Sequence, residues 1–558
     1  MKLVIIGGVA GGASAAARAR RVDESAEIVL LERGEYISFA NCGLPYYISG
    51  EIEEREDLLV TTPEKLRDRF RVDVRIWHQC LSIDRDKKQI KVMDHSSKES
   101  YTENYDKLIL SPGAEPIKPD MPGIDLPGIY TLRTVPDTDC IKLGLEKMDK
   151  GSVVIVGGGF IGLEMAESAA MLGHQVSIVE MLEQVMPPMD FEMAAIIHEH
   201  LREKGVDLRC GDGVKSFEKE DGRIKVTSQS GCEFMADAVI LSIGVRPENR
   251  LAQEAGLEIG DTGGILVDQT LRTSDPDIFA VGDAIQVKEF VTGDNVRIPL
   301  AGPANKQGRI AANNALGRKQ IYKGVVGTSV VRVFDLTAAS TGASEKLLKK
   351  SGRPYRASYT HSMSHASYFP GAERISLKLV FDPDDGTVLG AQAVGKDGVD
   401  KRIDVLATAV RAKMTVFDLE ELDLAYAPPY GSAKDPVNMA GFVASNIMKG
   451  DVEAVTWDQM DDFDSERFVL LDVRDEDEAK EEGMVEGALI IPINDLRDRL
   501  AELDRDKTYL CFCTISLRAY IAHRILRHHG ISSKIISGGH ITFSKARRER
   551  ESVKCVIK

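Results

Sequence analysis

The sequence predicts an α/β protein of several domains, because one strand–glycine loop–helix–strand pattern occurs twice and further strands and helices alternate after it. The chain has 558 residues. At roughly 150 residues per domain, this length corresponds to three or four domains. Apolar residues make up 43% of the chain and charged residues 28%, which is typical of globular proteins rather than disordered or fibrous ones.

Charge and cysteine content narrow the class of partner and compartment. The formal net charge is −16, and such an acidic surface repels nucleic acid and anionic membrane, so neither is an expected partner. An anionic ligand would therefore need a local basic pocket. The 8 cysteines are too sparse for a disulfide scaffold, and no apolar run approaches the ~18 residues of a membrane helix. With no leader-like segment before Leu3, we expect a cytoplasmic protein, and we expect no metal site.

The first unit begins at the start of the chain. A short apolar strand leads into the glycine loop at residues 7–12, an alanine-rich helix follows, and a second strand ends at Glu32. Gly7 and Gly12 occupy two positions of a dinucleotide-binding turn, but Val9 replaces the middle glycine. Alone, this loop does not distinguish a nucleotide site from an ordinary strand–helix turn.

The second unit carries a complete fingerprint. The strand at residues 153–156 precedes Gly157, Gly159 and Gly162, which allow a tight turn, close approach of a pyrophosphate and close helix–strand packing. Glu180 closes the next strand, where a carboxylate accepts hydrogen bonds from ribose hydroxyls and repels a 2′-phosphate. The sequence therefore predicts NADH rather than NADPH at this unit.

A distant segment indicates which cofactor the first unit binds. The run Thr273–Asp283 resembles the second flavin-binding signature of flavoproteins with two dinucleotide domains, in which the final aspartate binds the ribityl chain. Residues 111–114 and 242–247 resemble the two crossovers of these proteins. The resemblance implies FAD at the first unit and NADH at the second, with hydride transfer between them. The FAD-binding residues implied are Gly7, Gly12, Glu32, Arg33, Ser111, Gly113 and Asp283.

A lone cysteine follows the second strand of the first unit. Cys42 lies in the run Ser38–Tyr46, which contains no second cysteine. One thiolate beside a flavin can form a mixed disulfide, a persulfide or a sulfenic acid, but not an internal dithiol. A buried structural cysteine is the alternative interpretation.

Together, the glycine loop at 7–12 and the run at 38–46 resemble the coenzyme A disulfide reductase family, and the C-terminal segment resembles a rhodanese domain. The combination is similar to the fused coenzyme A disulfide reductase–rhodanese proteins, a group that includes NADH-dependent persulfide and polysulfide reductases. The fold this implies has two Rossmann-like dinucleotide-binding domains, an α/β dimerisation domain and a C-terminal rhodanese α/β domain. The expected boundaries are 1–120 with 245–322 for FAD, 121–244 for NADH, 323–449 for dimerisation and 455–558 for rhodanese.

The resemblance also implies a coenzyme A site and an obligate homodimer. Tyr368 and Tyr426 resemble a pair that reaches into the partner's active site, where a phenol can protonate a leaving thiolate; plain packing is the alternative for each. A family basic contact falls near residues 69–71, but Phe70 occupies the closest position. The coenzyme A contacts implied are Ser14, Arg18, Arg21, Ser38, Asn41, Asn305 and Lys434.

In the C-terminal segment, residues 513–518 resemble the rhodanese active loop, with Cys513 as sulfur carrier and Arg518 stabilising its thiolate. A degenerate, regulatory rhodanese domain remains an alternative, because the sequence departs from the family pattern at two positions. Ser516 replaces the usual glycine, where a Cβ can strain the loop, and Met484 or Val485 replaces a usual histidine. We expect Cys511 to face away along a buried strand. The charged run Arg547–Glu551 is predicted to be a solvated helix face.

The predicted function is NADH-dependent, FAD-dependent reduction of coenzyme A persulfide or polysulfide, and of coenzyme A disulfide, through Cys42. A dedicated coenzyme A disulfide reductase is the main alternative. An NADH peroxidase or oxidase is less favoured, because Ala10 stands where those enzymes carry a histidine. A redox-sensing, sulfur-trafficking protein with slow turnover is the alternative from another class.

Overall fold

The computed structural model describes residues 1–464 and 466–557. The chain divides into two compact units, Met1–Val179 with Gly213–Gly327 and Glu180–Asp212 with Thr328–Lys558. Among the described residues, no helix has both the length and the apolar character needed to cross a membrane.

The N-terminal part of the first unit begins with strands and helices in alternation and continues as a run of six strands. Its elements are β1 (Lys2–Ile6), α1 (Ala10–Val22), β2 (Glu27–Leu31), α2 (Leu44–Ser49), α3 (Pro63–Phe70), β3 (Asp73–Arg75), β4 (His78–Asp84), β5 (Gln89–Asp94), β6 (Glu99–Asn104), β7 (Lys107–Leu110) and β8 (Ala114–Pro116).

The middle of the chain repeats this alternation. Its elements are β9 (Ile129–Thr131), α4 (Val135–Glu146), β10 (Ser152–Val156), α5 (Phe160–Met171), β11 (Gln175–Glu180), α6 (Phe191–Glu203), β12 (Asp207–Cys210), β13 (Val214–Glu220), β14 (Arg223–Ser228), β15 (Glu233–Ala236) and β16 (Ala238–Leu241). The chain then returns through β17 (Val245–Pro247), α7 (Arg250–Glu254), β18 (Ile265–Leu266), β19 (Ile278–Ala280), β20 (Ile285–Lys288), β21 (Asn295–Val296) and α8 (Ala301–Ala315).

Two parallel sheets carry the two glycine loops. The first has the order β19-β7-β1-β2-β3, and the second contains β11-β10-β16-β9 in that order. Leu3, Val4 and Ile5 are fully buried, because a central parallel strand is covered on both faces and needs a continuous apolar run. Helix α1 is rich in alanine and glycine because α8 crosses it closely: a Cβ at Gly308 would lie 2.2 Å from the carbonyl oxygen of Gly11.

The second unit contains an antiparallel sheet and, in its C-terminal segment, a parallel sheet. The elements before the C-terminal segment are β22 (Ser329–Val333), β23 (Leu336–Gly342), α9 (Glu345–Ser351), β24 (Arg356–Met363), β25 (Arg374–Phe381), β26 (Val388–Gly395), α10 (Val399–Ala412), α11 (Val416–Glu420) and α12 (Pro436–Met448). The five strands form an antiparallel sheet in the order β22-β23-β26-β25-β24.

The alternation of apolar and polar residues along β25 does not mark a solvent-exposed face. Lys378 is fully buried, where its ammonium group contacts Asp190, Glu192 and Glu345. The carboxylates raise the pKa of Lys378 well above its ordinary value against the opposing effect of burial. A buried charge needs such partners, and no local pattern in the strand predicts them.

Five residues, 449–453, join α12 to the C-terminal segment. That segment contains β27 (Ala454–Val455), β28 (Phe468–Asp472), α13 (Glu476–Glu482), β29 (Leu489–Ile490), β30 (Thr508–Phe512), α14 (Leu517–His528), β31 (Ser532–Ile536) and α15 (Gly539–Ile557). Its strands form a parallel sheet in the order β27-β31-β30-β28-β29.

The prediction that Arg547–Glu551 forms a solvated helix face is correct for only part of the run: Arg547, Arg548 and Glu551 are exposed, whereas Glu549 is buried and Arg550 is half-buried. Glu549 is only 3% exposed; its carboxylate lies 2.6 Å from Arg202 and 3.3 Å from His198. The guanidinium of Arg550 lies 4.3 Å from the ring centroid of Trp457. A mixed-charge run has the same composition whether it faces water or pairs with a neighbouring helix, so the sequence alone does not show that Glu549 is buried.

Candidate active site

Both glycine loops have the geometry that a pyrophosphate requires. Gly7 and Gly157 have positive φ, and a Cβ on either would collide with the carbonyl oxygen of Ser111 or Ser242. A Cβ at Gly159 would meet no atom of the described residues within 4 Å, which leaves open space in front of α5. Neither Val9 nor Gly159 caps its helix with a side chain, so the first N–H groups of α1 and α5 remain suited to bind phosphate. The residues present therefore fit two dinucleotides.

The acidic and basic residues predicted for the first site lie around its loop. Glu32 accepts hydrogen bonds from the N–H groups of Gly8, at 2.8 Å, and Gly34, at 2.9 Å. Arg33 pairs with Glu248 at 2.6 Å, a contact that the sequence did not indicate. Burial raises the pKa of Asp283, with Arg133 opposing the shift. Ser111 and Gly113 lie on the first crossover, whose strand β8 pairs with β17 of the second crossover.

The cysteine loop, residues 38–43, is hydrogen-bonded to the first glycine loop. The N–H of Ser38 donates to the carbonyl of Gly8 at 2.9 Å, and Ser38 itself has a φ of 47°. Asn41 and Cys42 then form a single 3₁₀ turn, Asn41–Gly43. Cys42 is solvent-exposed, which contradicts the alternative of a buried structural cysteine. The backbone thus brings an open thiol next to the loop that fits FAD.

The surroundings of Cys42 favour the neutral thiol. Desolvation raises its pKa, and the negative charges of Glu164 and Asp283 raise it further. Glu164 lies on α5 and accepts a hydrogen bond from the Tyr46 hydroxyl at 3.2 Å. Sequence reasoning missed Glu164, because no spacing relates a residue of the second glycine unit to the cysteine loop.

A basic cluster forms where α1 meets α8. Arg18 donates to Asn313 at 2.8 Å, and desolvation together with Arg309, Arg318 and Arg21 lowers its pKa. The guanidinium of Arg21 stacks over the ring of Phe70 at 5.2 Å. In an acidic protein, such a cluster of four guanidinium groups supplies the local positive charge that an anionic ligand requires.

The structure brings together most residues predicted to contact coenzyme A within the first unit. Ser14 hydrogen-bonds Asn305 across the same α1–α8 crossing, which places both beside the basic cluster. Arg309 and Arg318 were missed, since only the folded crossing of α8 over α1 brings them near Arg18. Lys434 is exposed in the loop before α12 and belongs to the second unit.

The predicted tyrosine pair meets on the surface of the second unit. The hydroxyls of Tyr368 and Tyr426 lie 2.8 Å apart, although 58 positions separate them in the chain. Tyr368 is 73% exposed and Tyr426 is 47% exposed. The hydrogen bond to Tyr426 raises the pKa of Tyr368. Two exposed phenols held together in this way are not core packing.

Strand β11, the second strand of the NADH unit, ends in the carboxylate of Glu180, as predicted. Glu180 accepts a hydrogen bond from the N–H of Leu182 at 2.7 Å. Met181 and Leu182 are exposed apolar residues beside it, a surface suited to an adenine ring.

In the C-terminal segment, the active-loop candidates surround Cys513. Its side chain is 1% exposed, and its carbonyl accepts from the N–H of His540 at 2.8 Å. Arg518 forms a two-pronged ion pair with Glu478, which raises the pKa of Arg518, and the charge of Cys513 adds to this shift. Glu478 was missed, because it lies 40 positions before Arg518 in the chain. Cys511 is fully buried in β30.

The strain expected at Ser516 has a local compensation. Ser516 adopts φ 70°, ψ −7° at the start of α14, the left-handed conformation that glycine tolerates best. Its hydroxyl donates to the carbonyl of Ile536 at 2.7 Å. The serine therefore retains the glycine-like turn and adds a hydrogen bond, so the loop keeps its shape.

Sequence comparison assigns this arrangement to a family. The pyridine nucleotide-disulphide oxidoreductase model matches residues 1–308, its dimerisation domain matches 328–436, and the rhodanese-like domain matches 456–545. The chain belongs to the pyridine nucleotide-disulphide oxidoreductases. The fold prediction is thereby confirmed, and the dimerisation domain indicates that this oxidoreductase is a homodimer.

Three relatives illustrate the similarity. The coenzyme A disulfide reductase of Staphylococcus haemolyticus is 34% identical over 447 residues, covering 80% of this chain and 100% of the relative. The crystal structure of reduced CoADR-RHD from Bacillus anthracis is 49% identical, covers 98% of both chains and has a TM-score of 0.96. The NAD-dependent persulfide reductase from A. fulgidus is 40% identical, covers 97% of this chain and 100% of that one, and has a TM-score of 0.91.

These similarities confirm the predicted family resemblance and the coarse function. The protein is an FAD-dependent oxidoreductase of the coenzyme A disulfide reductase and persulfide reductase type, and it takes electrons from a pyridine nucleotide.

Proposed function

We propose that the protein uses NADH to reduce the sulfane sulfur of coenzyme A persulfide or polysulfide, as well as coenzyme A disulfide, through Cys42. The observation that carries this proposal is the single open thiol of Cys42, which is attached through Ser38 to the loop that fits FAD. Bound FAD would accept hydride from NADH and supply two electrons to sulfur.

The residues of the chain define the sulfur chemistry. The Cys42 thiolate attacks coenzyme A disulfide, a Cys42–coenzyme A mixed disulfide forms, and coenzyme A thiolate leaves. With a persulfide, attack on the sulfur bonded to the carbon gives the same mixed disulfide and releases HS⁻. Two electrons then break the mixed disulfide and return both sulfurs as thiolates. Each leaving thiolate takes one proton, which a phenol such as Tyr368 or Tyr426 can donate.

Coenzyme A recognition is proposed at the α1–α8 crossing. Arg18, Arg21, Arg309 and Arg318 supply positive charge for its phosphates, and guanidinium groups suit phosphate because they bind it in a two-pronged manner. The Ser14–Asn305 pair lies on the same crossing. Asn41 and Ser38 would then contact the pantetheine end beside Cys42.

The C-terminal domain favours a persulfide over the disulfide alone, because a disulfide reductase has no need of a sulfane carrier. Cys513 beside Arg518 suits this carrier role. The burial of Cys513 supports the main alternative, a coenzyme A disulfide reductase whose rhodanese domain is regulatory.

The experiment compares Cys42→Ser and Cys513→Ser with wild type. We expect Cys42→Ser to retain FAD and its reduction by NADH, yet to lose turnover with every acceptor. Cys513→Ser should leave turnover with coenzyme A disulfide and with small persulfides largely unchanged, and it should slow turnover with polymeric sulfur donors.

The matched control is Cys140→Ser, an exposed cysteine outside the proposed site. Wild-type turnover of polysulfide by Cys42→Ser would contradict the assigned nucleophile. Identical rates of Cys513→Ser and wild type with every donor would favour the regulatory alternative.

A further inference from the structure

The C-terminal charged run has no role in the chemistry proposed above, yet it packs against the helix that follows the second nucleotide strand. Within the second unit, Lys545 and Arg548 of α15 both contact Glu199 of α6. Glu549, the residue after Arg548, accepts a hydrogen bond from Arg202 at 2.6 Å. Residues from the two ends of this unit's sequence thus form one ion-pair network.

At the centre of this network lies His198, which is fully buried. Its Nε2 accepts a hydrogen bond from the N–H of Val185 at 3.1 Å, and its Nδ1 lies 3.3 Å from Glu549 Oε2. Because Nε2 accepts, the ring proton resides on Nδ1 and is donated to Glu549. One neutral tautomer satisfies both contacts.

The charges agree with this assignment. Burial lowers the pKa of His198, an effect that its hydrogen bond to Glu549 only partly offsets. Although burial opposes it, hydrogen bonds from His198 and Arg202 lower the pKa of Glu549 to about 2. A neutral imidazole therefore links a backbone amide to an ionised carboxylate, and removing the carboxylate leaves a buried N–H without its acceptor.

Val185 belongs to the segment 181–189, which directly follows Glu180. The same segment is held from other directions: the Gln184 amide donates to the carbonyl of Met189 at 2.9 Å, and Lys346 donates to the carbonyl of Pro187 at 2.8 Å. Its first residues include Leu182, whose N–H binds the Glu180 carboxylate. The segment therefore sets the position of the group proposed to bind the ribose of NADH.

We infer that Glu549, in the last helix of the rhodanese-like domain, is a positioning residue for NADH binding: through His198 it holds Val185 and fixes the segment that follows Glu180. The inference rests on the proposed role of Glu180 as the ribose ligand. A loop ordered before the nucleotide arrives loses less conformational entropy on binding, so the affinity for NADH is higher. The C-terminal domain thus contributes to the nucleotide site as well as carrying Cys513.

The test uses the holoenzyme and the reduction of its FAD by NADH, which requires no sulfur acceptor. Glu549→Ala should raise the Kd and KM for NADH about tenfold, equivalent to ~1.4 kcal/mol, because a buried hydrogen bond to a charged group is lost. The kcat and the KM for coenzyme A disulfide should stay within about twofold, as expected for a lost ground-state binding contribution. Glu549→Gln keeps an oxygen for His198 and should recover most of the affinity. Glu551→Ala, an exposed acid on the same helix, is the matched control.

Unchanged NADH affinity in folded Glu549→Ala would overturn the inference. An equal increase in the KM for NADH and the KM for coenzyme A disulfide would also overturn it. If Glu549→Ala does not fold, amide exchange on wild type replaces it. By reciprocity, NADH should slow exchange in the α15 peptide containing Glu549, and unchanged exchange there would overturn the inference. Failure of the proposed function is distinguishable: Glu180→Ala, which removes the proposed ribose ligand, would leave NADH affinity unchanged while Glu549→Ala still weakened it.

Discussion

Cys42 reacts as a thiolate in the proposed mechanism, and its surroundings disfavour that form. Desolvation, followed by the charges of Glu164 and Asp283, raises the pKa of its thiol. The thiolate fraction therefore increases as the pH rises toward that pKa. A positive charge brought by a ligand, or a phenol from the partner subunit, would counteract this shift.

The first prediction follows from Glu164. Glu164→Gln removes a negative charge while keeping a group that can hydrogen-bond Tyr46, so the pKa of Cys42 should fall. The pH dependence of iodoacetamide alkylation of Cys42, followed by peptide mass spectrometry, measures the shift. Glu53→Gln, at an exposed acid, should leave the profile unchanged. An unaltered or upward-shifted profile in Glu164→Gln would contradict the assigned electrostatics.

The second prediction concerns Glu180. A carboxylate beside a 2′-phosphate costs roughly 1–3 kcal/mol, so kcat/KM should be at least about tenfold higher with NADH than with NADPH. Glu180→Gln should narrow that preference mainly through better use of NADPH. Steady-state assays with both nucleotides, and Glu183→Gln as the neighbouring control, decide the matter. Equal use of the two nucleotides by wild type would show that Glu180 does not discriminate.

At the scale of elements, the turn that begins α14 allows a matched comparison. Ser516 combines a left-handed conformation, which costs a non-glycine residue roughly 1–2 kcal/mol, with a hydrogen bond to Ile536 that contributes about 1 kcal/mol. Ser516→Ala keeps the strain and loses the bond, so we expect a local destabilisation of about 1 kcal/mol. Ser516→Gly removes both the strain and the hydrogen bond, so its effect on local stability should be close to zero.

Hydrogen exchange of the peptide containing Cys513 and α14 measures these local opening free energies in the full chain. Serine, alanine and glycine should rank with alanine the least stable. If glycine proved less stable than alanine, strain would not be a significant term in this loop.

Local elements were predictable where the sequence pattern is itself local. The strand before each glycine loop, the positive-φ glycines and the carboxylate that ends β11 all follow from a few adjacent residues. Burial of Lys378 and Glu549 was not predictable, because each depends on partners almost two hundred residues or more away, such as Asp190 and His198. The roles of Arg309, Arg318 and Glu164 were also not predictable, because these residues lie far in the chain from the groups that they affect. The resemblance supplied the tyrosine pair, which no spacing in the chain suggests.

For the whole molecule, the decisive question is how two subunits divide the site. The cysteine loop and the basic cluster lie in the first unit, whereas the Tyr368–Tyr426 pair and Lys434 lie in the second. The two phenols are exposed on one chain, and the dimerisation domain that carries them indicates a homodimer. We propose that each tyrosine pair completes the site of the partner subunit.

The last prediction tests this sharing with mixed dimers. Removing both phenols, in Tyr368→Phe/Tyr426→Phe, should lower kcat about a hundredfold, the lower end of the range for a lost general acid, and Cys42→Ser should be inactive. A heterodimer of these two variants, purified through two different tags, then has one site with wild-type Cys42 from one subunit and both phenols from the other. Its kcat per dimer should be about half that of wild type, since one of two equivalent sites is restored. If each site used only its own subunit's tyrosines, the heterodimer would show no more than half the residual activity of the tyrosine variant.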